Sequence, residues 1–230
     1  MFRFNAVRAS HFLPSLILLL AGLAAAYVRD LSVFFTSLFN VLPTLVLLLG
    51  GAYCAVYRRQ RELFLMLTVY IAYYLLDTQT DFYRDHGRVR EDAAVIFHLV
   101  CLLLPTLFGL YGAWQERTHL LQDLVARGAV LFAVGSVAVA LEQSYPEALL
   151  TWLAEIRWPT LHGQWMSLIQ MVYPLFLVVF ILLVVQYLRA PRPLHAAQVI
   201  GLLGIFWMLP QTFILPFTLN IMCSQVMLMI

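Results

Sequence analysis

The stretch Leu168–Leu188, LIQMVYPLFLVVFILLVVQYL, decides the fold class. It holds no charged residue, and at about 1.5 Å per residue a helix of this length crosses a hydrocarbon core of roughly 30 Å. Outward from it the pattern recurs. Phe12–Val28, Leu31–Tyr57, Ala93–Trp114 and Val199–Leu215 are apolar runs long enough for most or all of a crossing. Leu63–Leu76 and Ala129–Leu141 are shorter; the first draws flanking polar residues into the headgroup region, and the second is extended by a start near Leu120. Phe217–Ile230 is apolar again, meets no charged residue, and reads as a helix cut short. These runs predict an all-α fold, a polytopic integral membrane helical bundle with about seven complete transmembrane helices and a truncated eighth. The helices fall near 12–28, 31–57, 63–76, 93–114, 120–141, 168–188, 199–215 and 217–230 of a single transmembrane domain spanning 1–230.

Composition points the same way. With 63% of residues apolar and 11% charged, a water-soluble fold has too little polar surface to show. Arg3 and Arg8 ahead of the first run imitate a secretory signal. The small-residue cleavage pattern is poor, however, and a second run follows almost at once, so the first run is expected to remain as a helix. Every basic residue is Arg. With a cytoplasmic N-terminus, Arg3, Arg8, Arg58, Arg59, Arg61, Arg117, Arg127, Arg189 and Arg192 lie inside. Arg29, Arg84, Arg88, Arg90 and Arg157 lie outside, so the bias favours that orientation. A helical pattern, as opposed to that of a β-barrel, argues against an outer membrane, and a bacterial inner membrane is the expected location. No basic patch interleaved with aromatics suggests nucleic acid. Cys54, Cys101 and Cys223 sit inside apolar runs without paired spacing, which suggests neither a disulfide framework nor a zinc site.

The connectors differ in kind. Arg58–Glu62 and Arg189–Pro193 are tight basic turns, whereas Asp77–Asp92 is long and acidic and fits an external loop that prolongs the preceding helix into water. Between Glu142 and Ser167, Pro146 precedes apolar residues at helical spacing, predicting an interfacial helix near 147–157 with Trp152, Trp158 and Trp165 at headgroup depth.

Polar residues within the apolar zone are the candidates for function. Tyr70, Tyr73, Tyr74, Asp77 and Asp81 recur at spacings of three and four, so they form a face that either lines a ligand cleft or serves as an aromatic belt capped by carboxylates. His98 shares its face with Cys101 and Pro105, and is either a ligand or proton contact or a neutral imidazole bonded to a neighbouring helix. Asn40, beside Thr36, Pro43 and Thr44, belongs to a polar stripe, as do Gln170 with Tyr173 and Pro174, and Gln211 with Pro210 and Pro216. Such stripes either enclose a cavity or act as helix-packing glue. Asp81, Asp85 and His86 are close enough in sequence for a divalent ion, but acidic residues crowd exposed loops commonly, and no metal site is assigned. Phosphate loops, dinucleotide fingerprints, nucleophile elbows and paired-histidine metal motifs do not occur, so no catalytic residue is assigned.

The opening MFRFNAVRAS running into Phe12–Leu20, the stretch Tyr73–Asp92, and the unfinished run at Ile230 resemble the N-terminal membrane region of bacterial membrane-anchored diguanylate cyclases of the surface-attachment type. The resemblance implies a cytoplasmic cyclase domain that condenses two GTP into cyclic di-GMP with Mg. It also implies control of exopolysaccharide, biofilm and motility, a homodimer, and a flagellar motor membrane component as partner. The Gly-Gly-Asp/Glu-Glu-Phe signature of that domain is not in the chain, so GTP and Mg belong to sequence beyond Ile230 and no cofactor is expected here. The expected role is a membrane-embedded sensory or regulatory input and anchor, with the bilayer as its first partner. The alternatives are a small transporter or channel subunit lined by Asn40, His98 and Gln211, and a membrane-embedded enzyme using His98 and the Tyr70–Asp81 face.

Overall fold

The computed structural model describes residues 10–26, 33–86, 93–115, 119–144, 172–211 and 218–230. Among them are eight helices and no strands: α1 (Leu13–Ala26), α2 (Val33–Val56), α3 (Gln60–His86), α4 (Ala93–Ala113), α5 (Leu120–Ser144), α6 (Val172–Arg189), α7 (Pro193–Gln211) and α8 (Thr218–Met229). Ile96–Ala113, Leu120–Ala140 and Val172–Arg189 are long and apolar enough to cross a membrane, and α1, α2, α7 and α8 carry shorter apolar segments.

The ends of these helices follow local chemistry. α2 closes with Arg58 in the left-handed region at φ 56°, and Arg59 N–H donates to Cys54 O at 2.8 Å. That bond pattern is a Schellman motif with arginine where glycine usually stands. α7 begins earlier than the apolar run at Val199 because Pro193 takes its first helical position, where a missing N–H costs nothing. Arg192 O accepts from both His195 N and Ala196 N at its start. α3 runs well past Leu76 to His86, so the acidic segment begins as helix. The interfacial helix expected near 147–157 lies outside the described residues.

α8 packs against α1, α2, α3 and α7, with α6 bridging α4 and α7. Ile221, Met222, Cys223, Ser224 and Val226 of α8 are all buried. α4 and α6 cross closely at Gly109, where an added Cβ would stand 2.8 Å from Val179 Cγ1. α5 touches only α3 and α4 among the described helices, and just 11% of its apolar span is buried.

Apolar side chains form both the core and much of the outer surface. Leu48, Val56, Leu121 and Phe132 are largely exposed, whereas Asp123, Arg127, Gln198 and Ser224 are wholly buried.

Candidate functional site

Three helices, α2, α3 and α8, meet along a polar seam. On α2, Asn40 and Thr44 stand one turn apart on its accessible edge. Asn220 of α8 donates through Nδ2 to Asn40 Oδ1 at 2.9 Å, and Thr44 Oγ1 lies 3.0 Å from Tyr70 Oη of α3. Further along α3, Tyr73 Oη donates to Asp77 Oδ2 at 3.2 Å, and the Tyr70 and Tyr73 rings lie 5.7 Å apart. Ser224 Oγ turns back to Asn220 O at 2.8 Å, which uses its hydroxyl within α8. The seam joins helices through two of these contacts, Asn220–Asn40 between α8 and α2 and Thr44–Tyr70 between α2 and α3, while the other two bonds stay within one helix. Its donors and acceptors form bonds of the kind worth about 1 kcal/mol between membrane helices.

A second polar feature ties α5 to α4. Arg127 Nε donates to Asp123 Oδ2 at 2.9 Å, and both side chains are completely buried. Arg127 Nη2 donates to Trp114 O at 3.1 Å and Gln115 O at 3.2 Å, just beyond the end of α4. A cation at that end also meets the negative pole of the helix. The guanidinium lies 5.2 Å from the Trp114 ring centroid, and Tyr111 Oη donates to Arg127 O at 2.8 Å. One residue thus answers a carboxylate, two terminal carbonyls and an indole face. Farther along the bundle, α3, α4 and α5 surround an apolar cavity of about 330 Å³, reached by Thr68, Ala72, Val100, Leu104, Val134 and Gly135.

The third feature joins α4, α6 and α7. Gln186 Nε2 donates to Gly112 O at 2.8 Å and lies 3.3 Å from His195 Nε2, while His195 Nδ1 lies 2.7 Å from Ala190 O. A carbonyl only accepts, so Gly112 O fixes the nitrogen of the Gln186 amide toward it and Ala190 O fixes the proton on His195 Nδ1. His195 Nε2 is then the acceptor for Gln186, and the ring is neutral in this arrangement. Gln186 Oε1, and both amide atoms of the fully buried Gln198, have no hydrogen-bond partner among the described residues.

Of the residues singled out from sequence, Asn40, Tyr70, Tyr73 and Asp77 belong to the seam. Tyr74 is 59% exposed and stands at its margin. His98 is buried on α4 beside Phe97. Asp81 and Gln211 lie on α3 and α7, but their side chains fall outside the described residues, as does the whole of Gln170. No group of three or more His, Cys, Asp or Glu side chains converges among the described residues. Asp123, Gln186, His195 and Gln198 escaped the sequence reading, which took Arg127 only as a cytoplasmic charge, whereas it is a fully buried residue of α5. The Asp–Arg spacing of four on one helix was the available sign for Asp123 and Arg127, and polar residues set against apolar runs for the others. Compared with protein families, curated proteins and solved structures, the chain matches none.

Proposed function

We propose that this chain is a membrane-embedded regulatory input and anchoring domain, a bundle of about seven crossings and a further helix, whose signal is a change in helix packing. The observation that carries the proposal is the mounting of α5. This long apolar helix is held at one end by Arg127, which donates to Trp114 O and Gln115 O and accepts from Tyr111 through its own carbonyl, and elsewhere borders an apolar cavity. An element with one strong attachment and little other burial has a low cost of rearrangement. A ligand or partner that favours one position of α5 over another would shift its population in proportion to the difference in affinity. The apolar outer surface supports residence in lipid, and the gathering of Arg58, Arg59, Arg61, Arg189 and Arg192 at the tight turns supports a cytoplasmic N-terminus, in what we take from the resemblance to be an inner bacterial membrane.

The output proposed, on the resemblance alone, is a diguanylate cyclase encoded after Ile230, which would bring GTP and Mg, a homodimer and a flagellar motor partner with it. Reading the codons that follow Ile230 is the first test, and a Gly-Gly-Asp/Glu-Glu-Phe motif is expected. The second compares cellular cyclic di-GMP for the intact protein, for Arg127→Gln, and for a version without the helices. Arg127→Gln is expected to change the level severalfold and loss of the helices to release the protein from the membrane. Output and localisation that ignore both changes would refute the proposal. A conducting pathway gains no support from Asn40, whose amide oxygen is bonded to Asn220.

A further inference from the structure

Glu62, in the first turn of α3, is a carboxylate that the fold buries without giving it a hydrogen bond. It is 5% exposed, and its two arginine neighbours both approach Oε1, Arg61 at 3.8 Å and Arg59 at 4.0 Å. Those distances exceed a charge-assisted hydrogen bond, and Oε2 has no hydrogen-bond partner among the described residues. A buried carboxylate oxygen without a donor is costly, so this corner of the fold calls for one. Glu62 lines a cavity of about 290 Å³ between α2, α3 and α8, with Arg59 beside it. The turn that closes α2 sets Arg59 there: its N–H is fixed to Cys54 O, and its guanidinium lies 5.7 Å from the Tyr53 ring centroid. From Tyr53 the cavity runs back along α2 to Val46, about 10 Å at 1.5 Å per residue, past Met66 and Met227. Leu49 and Leu228 line it and are also exposed, so it opens on the apolar outer surface.

These features select the occupant. The turn carries Arg58, Arg59 and Arg61 against one Glu62, so a lone cation meets net positive charge, and a lone anion leaves Oε2 without a donor. An ammonium and a phosphate on one headgroup answer both, and the apolar walls beyond them suit an alkyl chain. We infer that this cavity binds a phosphatidylethanolamine, its ammonium donating to Glu62 Oε2, its phosphate oxygens taken by Arg59, and an acyl chain lying along Val46, Met66 and Met227. The Arg59 side chain is 48% exposed, and its contact with Oε1 is too long to engage its N–H donors, which match phosphate oxygens in pairs. Pockets of this kind, between helices at a membrane surface, suit lipid headgroups. The quaternary ammonium of phosphatidylcholine has no N–H to give, so the carboxylate distinguishes the two lipids. The inference rests on residence in a bilayer and not on the regulatory role proposed above.

The test titrates the full chain, in nonionic detergent, with phosphatidylethanolamine and phosphatidylcholine of identical acyl chains and reads the melting temperature. Both lipids are expected to raise it, phosphatidylethanolamine with an apparent affinity about tenfold higher. N,N-dimethyl-phosphatidylethanolamine, which keeps one N–H, is expected to side with the tighter lipid. Glu62→Gln should erase the preference while phosphatidylcholine still binds, and Arg59→Gln should weaken both lipids alike, since both carry the phosphate. Arg58→Gln removes the same charge from the same turn outside the cavity and leaves both responses intact. Should Glu62→Gln fail to fold, the methylation series on the unaltered chain carries the test. Equal stabilisation by the two lipids, a preference that survives Glu62→Gln, a loss from Arg58→Gln equal to that from Arg59→Gln, or free O-phosphoethanolamine acting as strongly as the lipid would each overturn the assignment.

Discussion

Asp123 and Arg127 are a pair whose worth lies in what each leaves behind when the other is removed. Both are sealed from solvent. Removing either strands an uncompensated charge, at a cost of about 3–5 kcal/mol. Asp123→Leu and Arg127→Leu are each expected to lower unfolding stability by that order in detergent. The double variant should lose less than the sum, since no lone charge remains. It will not recover fully, because Trp114 O and Gln115 O also lose their donor. Additive losses in a double-mutant cycle would show that the two side chains do not act as a unit. Little of this was legible in the sequence. A spacing of four marks the pair as able to meet on a helix, but the same spacing is met by countless solvated pairs. Only the approach of α4 turns it into a buried latch. The Tyr70, Tyr73 and Asp77 face was more legible because its residues repeat at helical spacing, although Tyr74 shows that a stripe read from spacing is wider than the one that packs.

Helices were legible where apolar length alone forms them, as in α4 and α6, and less so where their surroundings shield polar residues. α3 runs past its apolar segment as the acidic stretch leads us to expect: the run ends at Leu76 and helix continues to His86. α2, α4, α5 and α8 pack around it and cover Thr68 and Tyr73. α8 is the converse: a short closing run with Asn220, Ser224 and Gln225 looks incomplete in sequence, and it contacts four helices. An apolar helix with small polar groups suits such a position, because neighbours surround it on most sides. The packing of α4 on α6 depends on Gly109, where a methyl would meet the β-branched Val179, which cannot swing aside. Gly109→Ala is therefore expected to cost about 1–2 kcal/mol in melting experiments, overpacking outweighing the gain in helix propensity. Val179→Ala in the same chain should recover part of that loss. Gly135→Ala on α5, where nothing stands within 4 Å, is expected to stabilise by up to about 1 kcal/mol. A destabilising Gly135→Ala would mean that the outer side of α5 is covered by a neighbour.

Across the whole molecule, charge and connectivity agree on two ends. The wall of a separate cavity brings Arg61, Gln115 and Arg192 together, so the turn between α2 and α3, the end of α4 and the turn between α6 and α7 share one end of the bundle. Thr78 lies 18 residues along α3 from Gln60, about 27 Å at 1.5 Å per residue, which approaches the thickness of a hydrocarbon core. If that core surrounds the bundle, Arg59→Cys and Arg192→Cys lie on one side of the bilayer and Thr78→Cys on the other. The native cysteines, Cys54, Cys101 and Cys223, are all buried and give little background to a membrane-impermeant maleimide. In intact cells that express the chain, the proposed orientation predicts that Thr78→Cys labels, while Arg59→Cys and Arg192→Cys label only after the membrane is opened. Arg59→Cys and Arg192→Cys reporting from outside, with Thr78→Cys protected, would keep the bundle and reverse its orientation. Labelling of Arg59→Cys and Thr78→Cys from the same side would remove the bilayer from around α3. The exposed leucines and Phe132 would then have to be covered by a partner surface.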